Sequence, residues 1–205
     1  MTEPNDKPVG ARHGWHLLET SYPYVTPWIR LRQDRVRLDG NGEITYSYVE
    51  HPPAVWIVPV TTAGEIVLIR QYRYPIDAWC FEVPAGGSHD RGDMALDEIA
   101  RAELWEEVGG RCEEMRYVAG FYNANAHSHM RGNIFLACGV TLDSAQSLER
   151  TEQIEIHLLP TREAITWARA GRIEDGESAL ALLLAEPLLQ DLGYLDGAPD
   201  GTCGD

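Results

Sequence analysis

Ala102-Glu103-Leu104-Trp105-Glu106-Glu107-Val108-Gly109-Gly110 is the stretch on which the reading of this chain turns. On a helix, positions three and four apart share a face, so Glu106 and Glu107 both lie one turn on from Glu103. Like charges at that spacing cost about a few tenths of a kcal/mol each. They also stand toward the helix C-terminus, where the dipole disfavours anions. A sequence chosen for stability alone avoids this arrangement. A hard cation reverses the sign, because Mg²⁺ and Mn²⁺ favour carboxylate oxygens. Spacing by itself equally describes a solvated acidic face. The context points further: a Gly86-Gly87 loop, then the helix, then Glu-Glu-x-Gly.

Outward from this stretch, Met94, Ala95, Ile99, Ala102 and Leu104 are spaced for a helix over residues 93–108, and Gly109-Gly110 is its stop. Upstream, residues 28–38 alternate apolar and polar, and Asp39-Gly40-Asn41-Gly42 is a turn. Residues 44–49 resume with β-formers, which predicts a hairpin forming a small separate sheet. Residues 54–60 and 65–71 are apolar strand runs, and 79–83 is a short one ending at Pro84. Downstream, residues 115–121, 133–140 and 153–159 read as strands, and 161–170 and 178–192 as helices. The class is α+β (mixed α/β). Residues 1–13 and 194–205 read as flexible tails, 14–52 as an N-terminal β region and 53–193 as the main domain.

The 205 residues are 44% hydrophobic and include six Trp, enough for one sizeable packed core. A formal charge of −15 argues against a nucleic-acid groove. It also means that a phosphate-ester substrate needs a cation to screen it. Cys80, Cys112, Cys138 and Cys203 form neither a disulfide framework nor a zinc pattern, and read as free thiols of a reducing compartment. Residues 1–9 are polar and lack the apolar core of a signal peptide. No apolar run approaches the roughly 18 residues of a membrane span. A cytoplasmic protein with no membrane partner is the expectation.

The central stretch resembles the Nudix box, whose pattern is G-x5-E-x7-R-E-U-x-E-E-x-G-U with U apolar. Glu103-Leu104-x-Glu106-Glu107-x-Gly109 matches its catalytic half. Three further motifs are similar to the ADP-ribose pyrophosphatase branch of that family. Arg70-Gln71-Tyr72-Arg73-Tyr74 looks like its R-Q-Y-R strand end, and Glu82-Val83-Pro84-Ala85-Gly86 like its E-x-P-A-G approach. Gly171-Arg172-Ile173-Glu174-Asp175, followed by Ala179-Leu180, looks like its C-terminal helical signature. The resemblance covers the chain from about Trp28 to about Leu192. It implies an α/β/α sandwich with a mixed sheet, plus a small N-terminal sheet exchanged with a partner in a homodimer. The implied activity is metal-dependent hydrolysis of the pyrophosphate bond in ADP-ribose or another nucleoside diphosphate sugar, giving a nucleoside monophosphate and a sugar phosphate. The alternative is a non-catalytic nucleotide-binding sensor module.

By the same resemblance, Glu103, Glu107 and the Ala85 carbonyl hold Mg²⁺ or Mn²⁺. Glu106 and Glu152 are the catalytic carboxylates, with Glu149 as the alternative to Glu152. Arg73 and Glu82 contact the substrate. Trp28, Trp79 and Tyr72 are either core aromatics or base-stacking ones. His127 and His129 read as exposed loop residues.

The chain departs from the pattern in several places. Ala102 stands where the box carries the arginine that orients the glutamates, and one extra residue lies between Asp93 and Ala102. Gly110 takes the last apolar position. Arg101 is about 100° away round the helix. Either Arg101 or the cation itself is therefore expected to hold the glutamates, with repulsion raising the pKa of at least one. The loop Tyr122-Asn123-Ala124-Asn125-Ala126-His127 lacks the proline usual in ADP-ribose enzymes of the family, which leaves the substrate open.

Overall fold

The computed structural model describes residues 7–88 and 91–195, and the chain divides into two compact units. The first comprises the residues up to Pro53 together with Tyr122–Arg131, and the second Ala54–Phe121 and the residues from Gly132 onward.

The first unit is built on an antiparallel sheet of β1 (Trp15–Val25), β2 (Arg30–Leu38) and β3 (Gly42–Glu50), in that order. The β2–β3 hairpin turns at the Asp-Gly-Asn-Gly signal, with Leu38 opposite Gly42. β1 was not expected as a strand. Its pairing with β2 slips between Leu17 and Glu19 and again between Ser21 and Tyr24, so no clean two-residue alternation survives in its sequence. A short helix, α1 (Pro8–Arg12), stands where a loose tail is expected; Pro8 at its start supplies a pre-set helical φ. Residues 1–6 and 196–205 of the expected tails lie outside the described residues. The sheet buries charge. Arg32 Nε donates to Asp34 at 2.8 Å, its Nη1 to Glu50 at 3.3 Å and its Nη2 to the Thr20 hydroxyl at 3.3 Å. The 122–131 loop joins this unit through the Val49 N–H, which donates to the His127 carbonyl at 2.9 Å, and both His127 and His129 are exposed.

The second unit is layered. Its mixed sheet runs β11 (Ile154–Pro160), β5 (Glu65–Arg73), β4 (Ala54–Thr61), β10 (Arg131–Leu142), β8 (Gly110–Arg111). β6 (Ala78–Glu82), β7 (Ala85–Gly87) and β9 (Glu114–Tyr122) pair with β5, β4 and β10 respectively. β4 and β10 are parallel, whereas β10–β8, β11–β5, β4–β5, β4–β7 and β5–β6 are antiparallel. β4 and β5 are nearly continuous apolar runs because helices cover both faces. Val55, Ile57, Val67, Ile69, Phe135 and Ala137 pack with Ile99, Ala100, Leu104 and Val108 of α2 (Leu96–Val108). On the other side lie α3 (Thr161–Arg169) and α4 (Gly176–Asp191), whose Ala181, Leu182, Ala185 and Leu189 are buried. This is the expected α/β/α sandwich. Among the described residues, no helix is long and apolar enough to cross a membrane.

Two contacts lock the parts that matter below. Gly109 ends α2 in the left-handed conformation at φ 63°. The backbone of Ser144 approaches it so closely that a Cβ there would overlap the Ser144 carbonyl. On the opposite side, Asp175 caps α4 by accepting from the Ser178 N–H at 2.8 Å. The buried Ser178 hydroxyl accepts from the Val83 N–H at 3.0 Å and ties the 82–86 segment to that helix. Gly109→Ala is expected to lose about 1–2 kcal/mol from the left-handed backbone alone, with the overlap adding to it. Urea unfolding of the variant checks this, and an unchanged midpoint at unchanged slope contradicts it.

Candidate active site

Helix α2 is amphipathic in an unusual way. Its buried positions are Ile99, Ala100, Glu103, Leu104, Glu107 and Val108, so two carboxylates sit in the stripe that packs inward. Glu103 is 8% exposed and Glu107 3%. An ionised carboxylate so placed is costly unless it is paired or holds a metal. The surrounding elements show how each is accommodated.

Glu107 accepts a hydrogen bond from the Ala85 N–H at 3.0 Å, so β7 and α2 meet at this carboxylate. Glu103 lies against Gly86, where a Cβ would overlap its carboxyl carbon. A side chain at position 86 would therefore displace the Glu103 carboxyl from its place. Glu106 is bound by Arg91 from the loop ahead of α2. Arg91 Nη1 and Nη2 stand 3.1 and 2.6 Å from its two oxygens, and Nη2 also reaches Glu103 at 3.3 Å. Arg101 was one of two candidates for holding the glutamates, the other being the cation itself. Arg101 points elsewhere, with Nη1 donating to the Cys112 sulfur at 3.1 Å. Arg91 was not foreseen, because nothing in the sequence of a polar Gly-containing loop states how far one of its side chains reaches. The missing arginine at Ala102 was the only signal that such a residue was needed.

The electrostatics follow from burial. The Glu103 carboxyl is pushed up to about 7, first by loss of solvation, against which Arg91 works, with Glu106 and Glu152 adding repulsion. Glu107 is raised well above the ordinary carboxylate range by burial, then by Glu103; the Ala85 N–H opposes this and Glu152 adds to it. Repulsion was expected to raise at least one of these pKa values. The direction agrees, but burial outweighs repulsion as the cause.

Glu152 is thus within electrostatic reach of both buried glutamates. It arrives on the 143–153 loop, which docks on the C-terminal carbonyls of α2. Ser147 N–H donates to the Glu106 carbonyl at 2.8 Å, and the Gln146 amide to that of Glu107 at 2.7 Å. The Glu152 carboxylate accepts from the Glu149 N–H at 2.8 Å, so the two residues left open by the sequence form one turn with Glu152 as the oriented side chain. Arg73 and Glu82, expected separately as substrate contacts, pair with each other. Arg73 Nε donates to one Glu82 oxygen at 2.8 Å, and Nη2 to the other. Glu82 is buried, whereas the Arg73 side chain is 44% exposed. Its guanidinium is raised by Glu82 first, and it feels Glu107 and Asp175 as well. Tyr72 and Trp79 contact each other at 6.0 Å, with Arg70 over the Trp79 ring at 5.3 Å.

This donor set suits a hard divalent cation. It offers carboxylate oxygens raised in pKa first by burial, beside the backbone of β7 at Ala85. Among the described residues, no three Asp, Glu, His or Cys side chains already close on a common point. Each of the three glutamates instead accepts from a hydrogen-bond donor: Glu106 and Glu103 from Arg91, and Glu107 from the Ala85 N–H.

The sequence matches the NUDIX domain family over residues 50–177. A methanol dehydrogenase activator of Bacillus methanolicus is 28% identical over 155 residues, covering 75% of this chain and 83% of that protein. An ADP-ribose pyrophosphatase of Bacillus subtilis is 27% identical over the same length and shares. A CMP-5'-(N-acetyl-N-hydroxy-3-aminopropyl)phosphonate hydrolase of Streptomyces rubellomurinus is 30% identical over 148 residues, covering 72% of this chain and 70% of that one. The solved structure of an ADP compounds hydrolase superposes with a TM-score of 0.76 over 88% of this chain and 97% of its own, at 18% identity.

The raised Glu103 has a measurable sign. A carboxyl whose pKa is higher folded than unfolded favours the fold while protonated, and that contribution is lost as pH rises from the unfolded value through about 7. In chelator, the melting temperature of the wild type relative to Glu103→Gln is expected to fall between about pH 4.5 and pH 7. Parallel curves for the two proteins over that range refute the burial of a titrating Glu103.

Proposed function

The chain belongs to the Nudix family of hydrolases, and on that footing we propose that it splits the pyrophosphate bond of a nucleoside diphosphate joined to a sugar, ADP-ribose or a close analogue, in the presence of Mg²⁺ or Mn²⁺. The observation that carries this reading is the pair of carboxylates, Glu103 and Glu107, buried side by side in the packed stripe of α2. Two relatives whose names specify hydrolysis of nucleotide derivatives add to it. They also differ in the base and in the group attached, which leaves the attached group open.

In this proposal Glu103, Glu107 and the Ala85 carbonyl hold the cation. When bound, it neutralises the pyrophosphate and acidifies water. Arg73 meets a phosphate with the edge of its guanidinium not engaged by Glu82, and Glu82 keeps it aimed. Water attacks one phosphorus as the bridging P–O bond breaks. Glu152 takes the proton, its carboxylate steadied by the Glu149 N–H. Glu106, one turn from Glu103, helps align the attacking water. The products are a nucleoside monophosphate and a sugar phosphate.

We also propose a homodimer in the cytoplasm, with the N-terminal β region lending residues to the partner's site. Exposed Tyr22, Tyr24, Val25 and Trp28 on or beside that sheet support a surface awaiting cover. Light scattering at micromolar concentration is expected to give twice the chain mass; a fully active monomer contradicts the exchange.

Turnover of a panel of nucleoside diphosphate sugars, read as phosphomonoester release, tests the activity. It is expected to vanish in EDTA and return with Mg²⁺ or Mn²⁺. Glu103→Gln or Glu107→Gln is expected to lower kcat by more than about 100-fold, beyond the 10- to 100-fold typical of groups that merely support a metal ligand. Full activity in chelator ends the metal mechanism. Tight binding of the panel without turnover points instead to a sensor module.

A further inference from the structure

We propose that Arg91 is the residue that positions Glu103 and Glu106 in this chain, taking from the loop the place that Ala102 leaves empty on the helix. The inference rests on the hydrolase reading above and goes beyond it by assigning a residue that the family pattern does not contain.

The geometry carries the argument. Glu106 is held by both terminal nitrogens of one guanidinium, at 3.1 and 2.6 Å, and the nearer nitrogen is shared with Glu103 at 3.3 Å. A planar fork is suited to bridging two carboxylates in this way, and an ammonium is not. The Arg91 side chain is only 18% exposed, so this is no surface pair screened by water. The approach is built into the loop. The Arg91 N–H donates to the Ser88 carbonyl at 3.2 Å, and the Met94 N–H to the Arg91 carbonyl at 3.2 Å, so the residue sits between two turns. Gly92 follows it in the left-handed conformation at φ 59°. Arg101 is committed to Cys112 and does not compete.

The helix explains why the two positions are interchangeable. Residue 102 is four positions before Glu106, so an arginine there lies beside the carboxylate that Arg91 now reaches from outside. With Ala102 the helix offers no such group. Lost helix charge and gained loop charge thus answer one requirement: three glutamates must be kept on one face without flying apart.

Relocating the arginine tests this. Arg91→Ala is expected to lower kcat by about 10- to 100-fold with little change in substrate KM. It also leaves the carboxylates unscreened, so millimolar Mg²⁺ is expected to raise its melting temperature more than it raises that of the wild type. Adding Ala102→Arg to Arg91→Ala is expected to restore both kcat and the wild-type Mg²⁺ shift, whereas Arg91→Lys restores them only in part. A loss of stability equal with and without Mg²⁺, not rescued by the arginine at 102, reduces Arg91 to a loop brace and overturns the proposal. So does an Arg91→Ala protein unchanged in both readouts. If the wild type hydrolyses nothing in the panel, the hydrolase reading fails. The Mg²⁺-dependent melting shifts of the three variants then still decide the role of Arg91.

Discussion

Two carboxylates share the buried stripe of α2 with Ile99, Leu104 and Val108, and the rest of the second unit is arranged around that fact. Burial raises both in pKa, and each neighbour that touches them limits the damage: the Ala85 N–H at Glu107, Arg91 at Glu103 and Glu106, Gly86 by having no side chain. An apolar pair at these positions would pack with less strain on the helix. That the helix carries acids here is the physical sign that its inward face has a second task besides folding.

Two of the segments that converge on α2 come from distant parts of the chain, and each is fixed through backbone groups. The 82–86 segment is pinned by pairing with β4 and by the Ser178 hydroxyl at the start of α4. The 143–153 loop is pinned by the last carbonyls of α2, which a helix leaves without partners of its own. The Gly109 contact with Ser144 lets that loop come close. Unmet hydrogen-bonding capacity at a helix end is thereby turned into a docking point that carries Glu152.

Local features were legible in the sequence and tertiary ones were not. The α2 period, its Gly109 stop, the acids at 103, 106 and 107 and the apolar runs of β4 and β5 are each written within a dozen residues. β1 was not legible, because two slips in its pairing scramble the alternation that marks a strand. Arg73 and Glu82 were legible as residues of interest. Their mutual bond was hidden, since it depends on β5 and β6 lying side by side. Arg91 was hidden for the same kind of reason: only the closed fold brings residues 91 and 106 together.

The N-terminal sheet illustrates a different use of buried charge. Arg32 has Asp34 beside it on β2, but it finds Glu50 of β3 and Thr20 of β1 only when the three strands are aligned as they are. Sliding any strand by one residue turns the partner to the opposite face and strands a guanidinium away from water. A greasy interior would tolerate such an error at small loss; this one does not. Strand register in the small sheet is thus specified by which charged groups face each other, and less by the size of its core.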